Sequence, residues 1–305
     1  MSAFQGKGGA VARISFWKMS GSGNDFILID NRRGTIDAAA GADLARRLCA
    51  RGFSVGADGL ILIERSREAD FSWRFFNADG SEPAMCGNGG RCAARFAFLK
   101  GIAPARMRFM TGAGLISAEV KGDRVKLQLP LPSGFRERVA VAVKGPGVAP
   151  GFLVVGVPHA VLHYPELEQV PIAEWGRALR HDPAFGPAGA NVNFFRVEGS
   201  RRLRVRTYER GVEAETMACG TGSVATALVA AAAGLVKSPV TVVTRGGEEL
   251  LVHFRRRGGE YGEVFLEGKA DVVYEGKTWE EPAAPGSRRS GQRKATETVS
   301  ATEGA

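Results

Sequence analysis

Two stretches decide how this chain is organised: Glu82-Pro83-Ala84-Met85-Cys86-Gly87-Asn88-Gly89 and Glu215-Thr216-Met217-Ala218-Cys219-Gly220-Thr221-Gly222. In each, a Glu stands four residues before a Cys-Gly-x-Gly, and an Ala-rich apolar run follows. The runs predict helices over 87–99 and 220–236, each entered through its cysteine motif. One long unit occurs twice, which is a duplication and not a solenoid period. The Pro/Gly-rich Pro130-Leu131-Pro132-Ser133-Gly134, followed by Gly145-Pro146-Gly147, falls between the copies. The expected arrangement is two domains of the same fold related by pseudo-symmetry, each presenting one Cys.

Outward from the helices the chain reads as short alternating strands. Candidates are 13–19, 26–30, 60–64, 71–76, 106–110, 115–120 and 124–129 in the first half. In the second they are 152–157, 192–197, 202–208, 240–244, 250–254, 261–267 and 271–274. Two further helices are expected at 38–50, with Asp37 as N-cap, and at 172–180. Strands and helices do not alternate strictly, so the fold class is α+β rather than a doubly wound sheet. The domains are read as 14–133 and 134–260, with a strand near 261–275 completing the first. Residues 281–305 hold Val299 as their only larger apolar residue, so they read as a disordered tail whose removal after Glu280 is expected to leave stability and turnover unchanged. The first dozen residues read as loose.

Composition narrows the class. The 305 residues are 44% hydrophobic and 24% charged, ordinary globular usage. No run approaches the ~20 apolar residues of a membrane span, and 224–236 reads as a buried helix. Residues 1–13 lack the apolar region of a secretory signal, so the default compartment is the cytoplasm. The net charge is +9, but the basic residues are dispersed. In the densest cluster, Arg201-Arg202-Leu203-Arg204-Val205-Arg206, apolar residues alternate with Arg as in a half-exposed strand. Solvated faces are therefore expected, and a nucleic-acid surface is the lesser reading. The four cysteines, at 49, 86, 92 and 219, show no CxxC spacing, and with four His a structural zinc site is not expected.

The chemistry lies in the repeated motif. A thiol at a helix N-terminus has its thiolate stabilised by unpaired N–H groups. The flanking glycines let a ligand carboxylate approach those N–H groups. If the two helix ends face each other, one cleft holds two thiols and two sets of anion-binding amides. Inverting a stereocentre alpha to a carboxylate needs a base on one face and an acid on the other. Two thiols share that task, one as thiolate and one as thiol. Cys49 and Cys92 read as small core fillers. Ser20-Gly21-Ser22-Gly23-Asn24-Asp25 lacks both the third glycine of a dinucleotide fingerprint and the ending of a P-loop.

These residues carry a resemblance to the diaminopimelate epimerase family, over roughly 14–274. Lys18-Met19-Ser20-Gly21-Ser22-Gly23-Asn24-Asp25-Phe26 is similar to its N-terminal signature. Phe76-Asn77-Ala78-Asp79-Gly80-Ser81 through Met85-Cys86-Gly87-Asn88-Gly89-Gly90-Arg91-Cys92 resembles its first cysteine motif. Tyr208-Glu209-Arg210-Gly211-Val212 through Cys219-Gly220-Thr221-Gly222 resembles its second. Pro158-His159 and Asn191-Val192-Asn193-Phe194 fall between them in the expected order. The resemblance implies two domains, each a curled mixed β-sheet around a central α-helix, with the active site between them. It implies Cys86 and Cys219 as the acid–base pair, Cys219 taking the proton from the L,L substrate and Cys86 returning one. Gly87, Asn88, Gly220 and Thr221 would bind the reacting carboxylate, mainly through backbone N–H. Asn24, Asn77, Asn191, Glu209 and Arg210 would bind the rest of the substrate, and His159 and Glu209 would tune the thiols. The resemblance further implies lysine and peptidoglycan biosynthesis, no cofactor, no metal and a cytoplasmic homodimer without nucleic-acid or membrane partners.

Three positions depart from the family pattern: Val157 where Asn often precedes Pro-His, Gly59 where Gln often stands, and a loop at 211–215 one residue longer than the short form. They bear on substrate choice. Another cofactor-independent racemase, for histidine, proline or hydroxyproline, stays open beside the leading reading. Asn77, Asn191 and Arg210 suit a long substrate with a second polar end, which proline lacks, whereas Val157 keeps histidine in play. The phenazine-biosynthesis isomerases generally lack the paired cysteines and fit poorly. A basic nucleic-acid-binding protein is the alternative from another class, and it leaves the repeated cysteine motif unexplained.

Overall fold

The computed structural model describes residues 13–143, 147 and 149–278. The first dozen residues, read above as loose, the tail at 281–305 and Gly145-Pro146 of the central stretch lie outside the described residues. Ser15–Gly276 form one compact unit. In the other, Thr278 N–H donates to the Ile14 carbonyl at 2.9 Å.

The first half runs β1 (Ser15–Gly21), β2 (Asn24–Asp30), α1 (Ala38–Leu48), β3 (Gly59–Glu64), β4 (Phe71–Asn77), α2 (Gly87–Leu99), β5 (Arg106–Thr111), β6 (Gly114–Lys121) and β7 (Arg124–Gln128). After β8 (Ser133–Arg136) come β9 (Gly151–Val155), β10 (Val157–His163) and short helical turns that include α3 (Arg177–Arg180). Then follow β11 (Asn191–Gly199), β12 (Arg202–Glu209), β13 (Ala214–Thr216), α4 (Gly220–Ala232), β14 (Val240–Val243), β15 (Glu249–Arg257), β16 (Glu260–Lys269) and β17 (Asp271–Lys277). The architecture is the expected sheet-dominated α+β class.

The duplication is written in the strand pairing. From β1 to β7, successive pairs are antiparallel, parallel, antiparallel, parallel, antiparallel and antiparallel. The series β9, β10, β11, β12, β14, β15 and β16 repeats that order. β13 is an added arm on the end of β12. The two series join where β7 and β16 pair antiparallel. The strand that follows each series lies on the first strand of the other: β8 pairs with β9, and β17 pairs with β1.

Each series curls around one helix. α2 packs on β1, β2, β3, β6 and β7; α4 packs on β9, β10, β11, β12, β14 and β15. Such enclosure requires helices apolar on nearly every side, and Ala93, Ala94, Phe96 and Ala97 of α2 and Val224, Ala225, Ala227 and Leu228 of α4 are fully buried. β3 is a continuous apolar run for the same reason, with five of its six residues buried. Phe96 meets Trp17 edge-on, centroids 5.2 Å apart, and its loss to Ala would cost about 3–5 kcal/mol.

Both helices end alike. Ile102 N–H reaches Ala97 O and Gly101 N–H reaches Phe98 O; Leu235 and Gly234 repeat this with Ala230 and Ala231. Gly101 (φ 64°) and Gly234 (φ 75°) hold the left-handed position this cap requires. That glycine stops α4 at Ala232, short of the expected 236. The helix expected over 172–180 is present, its first part wound wide as a π-helix at Ile172–Gly176 before it runs into α3. β10, interrupted near its start by Pro158, and the three-residue β13 had no alternating pattern to announce them. No helix among the described residues is long and apolar enough to cross a membrane.

The basic cluster is matched by acids. Arg196, Arg202 and Arg204 gather on Glu198, Arg202 also reaches Glu249, and Arg206 is paired with Glu215. The half-exposed strand reading fits this neutralised face.

Candidate active site

The repeat delivers its site residues at equivalent positions. Asn24 and Val157 each open the second strand, two residues before Phe26 and His159, which pair with Gly59 and Asn191 on the third. Asn77 and Glu209 each close the fourth. Cys86 and Cys219 each cap the central helix, in nearly the same extended backbone: φ −141°, ψ 116° and φ −126°, ψ 110°. The Val157 departure is thus the counterpart of Asn24: one half keeps an amide there and the other does not.

Each thiol faces the first turn of its own helix. Cys86 Sγ accepts from Gly89 N–H at 3.4 Å, and the Asn88 N–H also favours its thiolate. For Cys219 the same service comes from Gly222, Thr221 N–H and the Thr221 hydroxyl, 3.8 Å away. Burial outweighs these N–H groups at both sites. It pushes the Cys86 thiol above its ordinary value and the Cys219 thiol up to about 12. The expected thiolate stabilisation is present but smaller than the desolvation it opposes. Cys49 and Cys92 are buried, and burial holds both near 12.

The helix ends meet. A Cβ at Gly220 would stand 3.4 Å from Asn88 Oδ1 and 3.1 Å from Leu266. At Gly87 nothing lies within 4 Å, so this stretch of backbone is open to a ligand. Glu209 lies within electrostatic reach of both thiols and opposes the ionisation of each. Its own carboxyl is raised by burial, against a hydrogen bond from Thr216 at 2.9 Å.

The polar candidates differ in how free they are. Asn24 Nδ2 donates to Asp58 at 2.9 Å and its Oδ1 accepts from Asn88 Nδ2 at 2.7 Å. Behind them, Arg51 bridges Asp58 and Asp25; burial raises the Asp25 carboxyl, but Arg51 and Lys18 outweigh it and hold it at about 2. Asn77 Nδ2 donates to Ser81 at 2.9 Å. Asn191 Oδ1 accepts from Arg210 N–H at 2.7 Å, which aims the next side chain. The half-buried Arg210 guanidinium makes no hydrogen bond or ion pair among the described residues.

His159 is fully buried, and burial together with the charge of Arg210 lowers it to about 3, so it is neutral at physiological pH. It reaches the second thiol site through Asn193, a residue that sequence reasoning passed over. Asn193 Nδ2 lies 3.3 Å from His159 Nδ1 and its Oδ1 accepts from Thr207 at 2.9 Å. That oxygen stands 2.3 Å from where a Gly222 side chain would begin. Under the first helix the equivalent Gly89 rests on Ile61, Phe26 and Trp73. The first turn of one helix therefore rests on an apolar floor and that of the other on a polar one. A signal existed: Asn193 interrupts an apolar strand, and such residues need internal partners. At Gly59 a side chain would meet the Phe75 ring at 2.5 Å and the Phe76 carbonyl at 2.6 Å, so no Gln could stand there. Among the described residues no three His, Cys, Asp or Glu gather to hold a metal ion.

Two facing repeats, each a curled sheet around a helix, define the fold of the phenazine-biosynthesis and proline-racemase type. A Bacillus anthracis phenazine biosynthesis protein of the PhzF family matches with a TM-score of 0.67 at 14% identity, covering 88% of this chain and 100% of that one. A hydroxyproline epimerase from Agrobacterium vitis, with bound trans-4-OH-L-proline, matches at 0.61 and 16%, covering 89% and 94%. Within that class the chain belongs to the diaminopimelate epimerase family, whose model matches residues 16–129 and 152–273. The diaminopimelate epimerase of Aquifex aeolicus is 46% identical over 279 residues, 88% of this chain and 99% of that protein. That of Chlorobaculum tepidum is 43% identical over 262 residues, 85% and 98%.

Proposed function

We propose that this chain converts L,L-diaminopimelate to the meso form, without pyridoxal phosphate, in lysine and peptidoglycan biosynthesis. The observation that carries the reading is the matched pair of cysteines at helix N-cap positions, Cys86 and Cys219, at the meeting of α2 and α4. The substrate carboxylate sits against the N–H groups of Gly87, Asn88, Gly220 and Thr221, which stabilise the charge that grows on it. Cys219, as thiolate, takes the Cα proton; Cys86, as thiol, gives its proton to the opposite face. No atom is gained or lost, and the thiols have exchanged states. Arg210 is the charged fork for the distal carboxylate, and Asn24, Asn77 and Asn191 complete the polar wall. Burial, with Glu209 adding to it, holds both thiols protonated before substrate arrives. A substrate α-ammonium beside Glu209 cancels its share of that opposition, and the helix N–H groups hold the thiolate left when one thiol gives its proton to solvent.

The division into domains at 14–133 and 134–260, a homodimer and a cytoplasmic location belong to the same proposal. Paired free thiols call for a reducing compartment. Sedimentation of the full chain reads the oligomeric state.

The test is incubation of reduced protein with L,L-diaminopimelate in D2O without added pyridoxal phosphate. Meso product carrying one Cα deuterium is expected. Folded protein with titratable thiols that gives neither product nor exchange would overturn the reading; L-histidine, run in parallel, examines the Val157 departure.

A further inference from the structure

Arg91, on α2, is wholly buried. Its Nε donates to the Lys269 carbonyl at 3.3 Å, and Nη2 donates to Asn88 Oδ1 at 2.9 Å and to Ser22 Oγ. Nη1 makes no hydrogen bond among the described residues. Ser22 is buried in the β1–β2 turn with φ 57°, a left-handed backbone that glycine would adopt without strain. Its hydroxyl has one proton. Arginine can only donate, so Ser22 accepts from Arg91 and its own O–H donates to Glu248 Oε1, 2.9 Å away. Glu248 stands in the turn between β14 and β15, in the second half of the chain. A buried charge from the first half thus reaches its carboxylate in the second through one hydroxyl. What Arg91 also holds is Asn88, the side chain that donates to Asn24 and whose Oδ1 lies 3.4 Å from where a Gly220 side chain would begin, at the start of α4.

We propose that Arg91, Ser22 and Glu248 form a latch between the two halves that fixes Asn88 and so sets the separation of the helix ends bearing Cys86 and Cys219. Arg91 and Glu248 are then positioning residues for the proton transfer, a role that rests on the paired-thiol reading. It explains why a strained serine occupies a turn position suited to glycine: the hydroxyl is what the turn supplies.

Ser22→Gly separates this role from a structural one, because it removes the hydroxyl and relieves the backbone together. Its Tm is expected to be unchanged or higher. Hydrogen–deuterium exchange is expected to speed up in peptides covering 85–91 and 217–224. With L,L-diaminopimelate, kcat is expected to fall roughly ten- to hundredfold while KM moves less than about threefold. Glu248→Gln keeps an acceptor for Ser22 and retains most of the exchange protection; Glu248→Ala does not. That pair carries the comparison should Ser22→Gly not fold. Unchanged protection in Ser22→Gly and Glu248→Ala overturns the latch, and unchanged kcat despite lost protection overturns the positioning role. Wild-type protein inactive on diaminopimelate refutes the paired-thiol reading by itself, and the exchange data still decide the latch.

Discussion

At Cys86 and Cys219 the helix N–H groups and burial pull one sulfur in opposite directions, and burial prevails in the free protein. A residue at this balance is sensitive to what enters the site, unlike Cys49 and Cys92, which lie in the core away from the helix N-termini. Cys86→Ala and Cys219→Ala should each lower meso-product formation by at least about 10²-fold. Cys92→Ala should keep turnover and cost about 1 kcal/mol in urea unfolding. His159 gives a pH signature. Its folded value, about 3, lies below its ordinary 6.5, so the stability of the neutral ring is present above 6.5 and lost as pH falls toward 3. Tm measured from pH 7 to 4 should fall, and His159→Gln should flatten that fall. The two cysteines were legible in the sequence because the same local solution is spelled out twice. Arg91, Ser22 and Glu248 were not, because their contacts span 69 and 226 residues and no local pattern announces them.

The helix is the next scale, and its first turn behaves differently at each position. Gly87 faces open space, so Gly87→Ala should leave Tm nearly unchanged while raising KM, because the added methyl occupies the place proposed for the substrate carboxylate. Gly222 is pressed against Asn193 Oδ1 and Cys219 Sγ, so Gly222→Ala should cost about 1–3 kcal/mol and lower kcat as well. Thermal melts with steady-state kinetics on both variants check the pair. The helix starts were readable from Cys-Gly-x-Gly. The stop of α4 was not, because an apolar run continues past Gly234 and only the left-handed cap ends it.

For the whole molecule, buried thiols impose an alkaline limit. Cys49, Cys92 and Cys219 are each raised from 9.0 to about 12. The folded state holds these protons longer than the unfolded chain, so the stability they contribute is intact below 9 and is lost as pH rises from 9 to 12. Denaturant midpoints across that range should decline, and Cys92→Ala should decline less. Pro130–Gly134 and the doubled motif made the duplication legible. That a strand near 261–275 returns to the first half was expected, but its meeting with β7 was not, since pairing between distant strands leaves no trace in either.

The exchange of trailing strands, β8 onto β9 and β17 onto β1, sets an order of events during synthesis. A chain leaving the ribosome exposes β1 first and β17 last. The outer edge of β1 and the β16-facing edge of β7 stay unpaired while the entire second repeat is made. During that interval the nascent protein is a half-built sheet with two adhesive borders. Stalling late in translation, before residue 260, is therefore the stage at which this chain is most exposed to association with its neighbours.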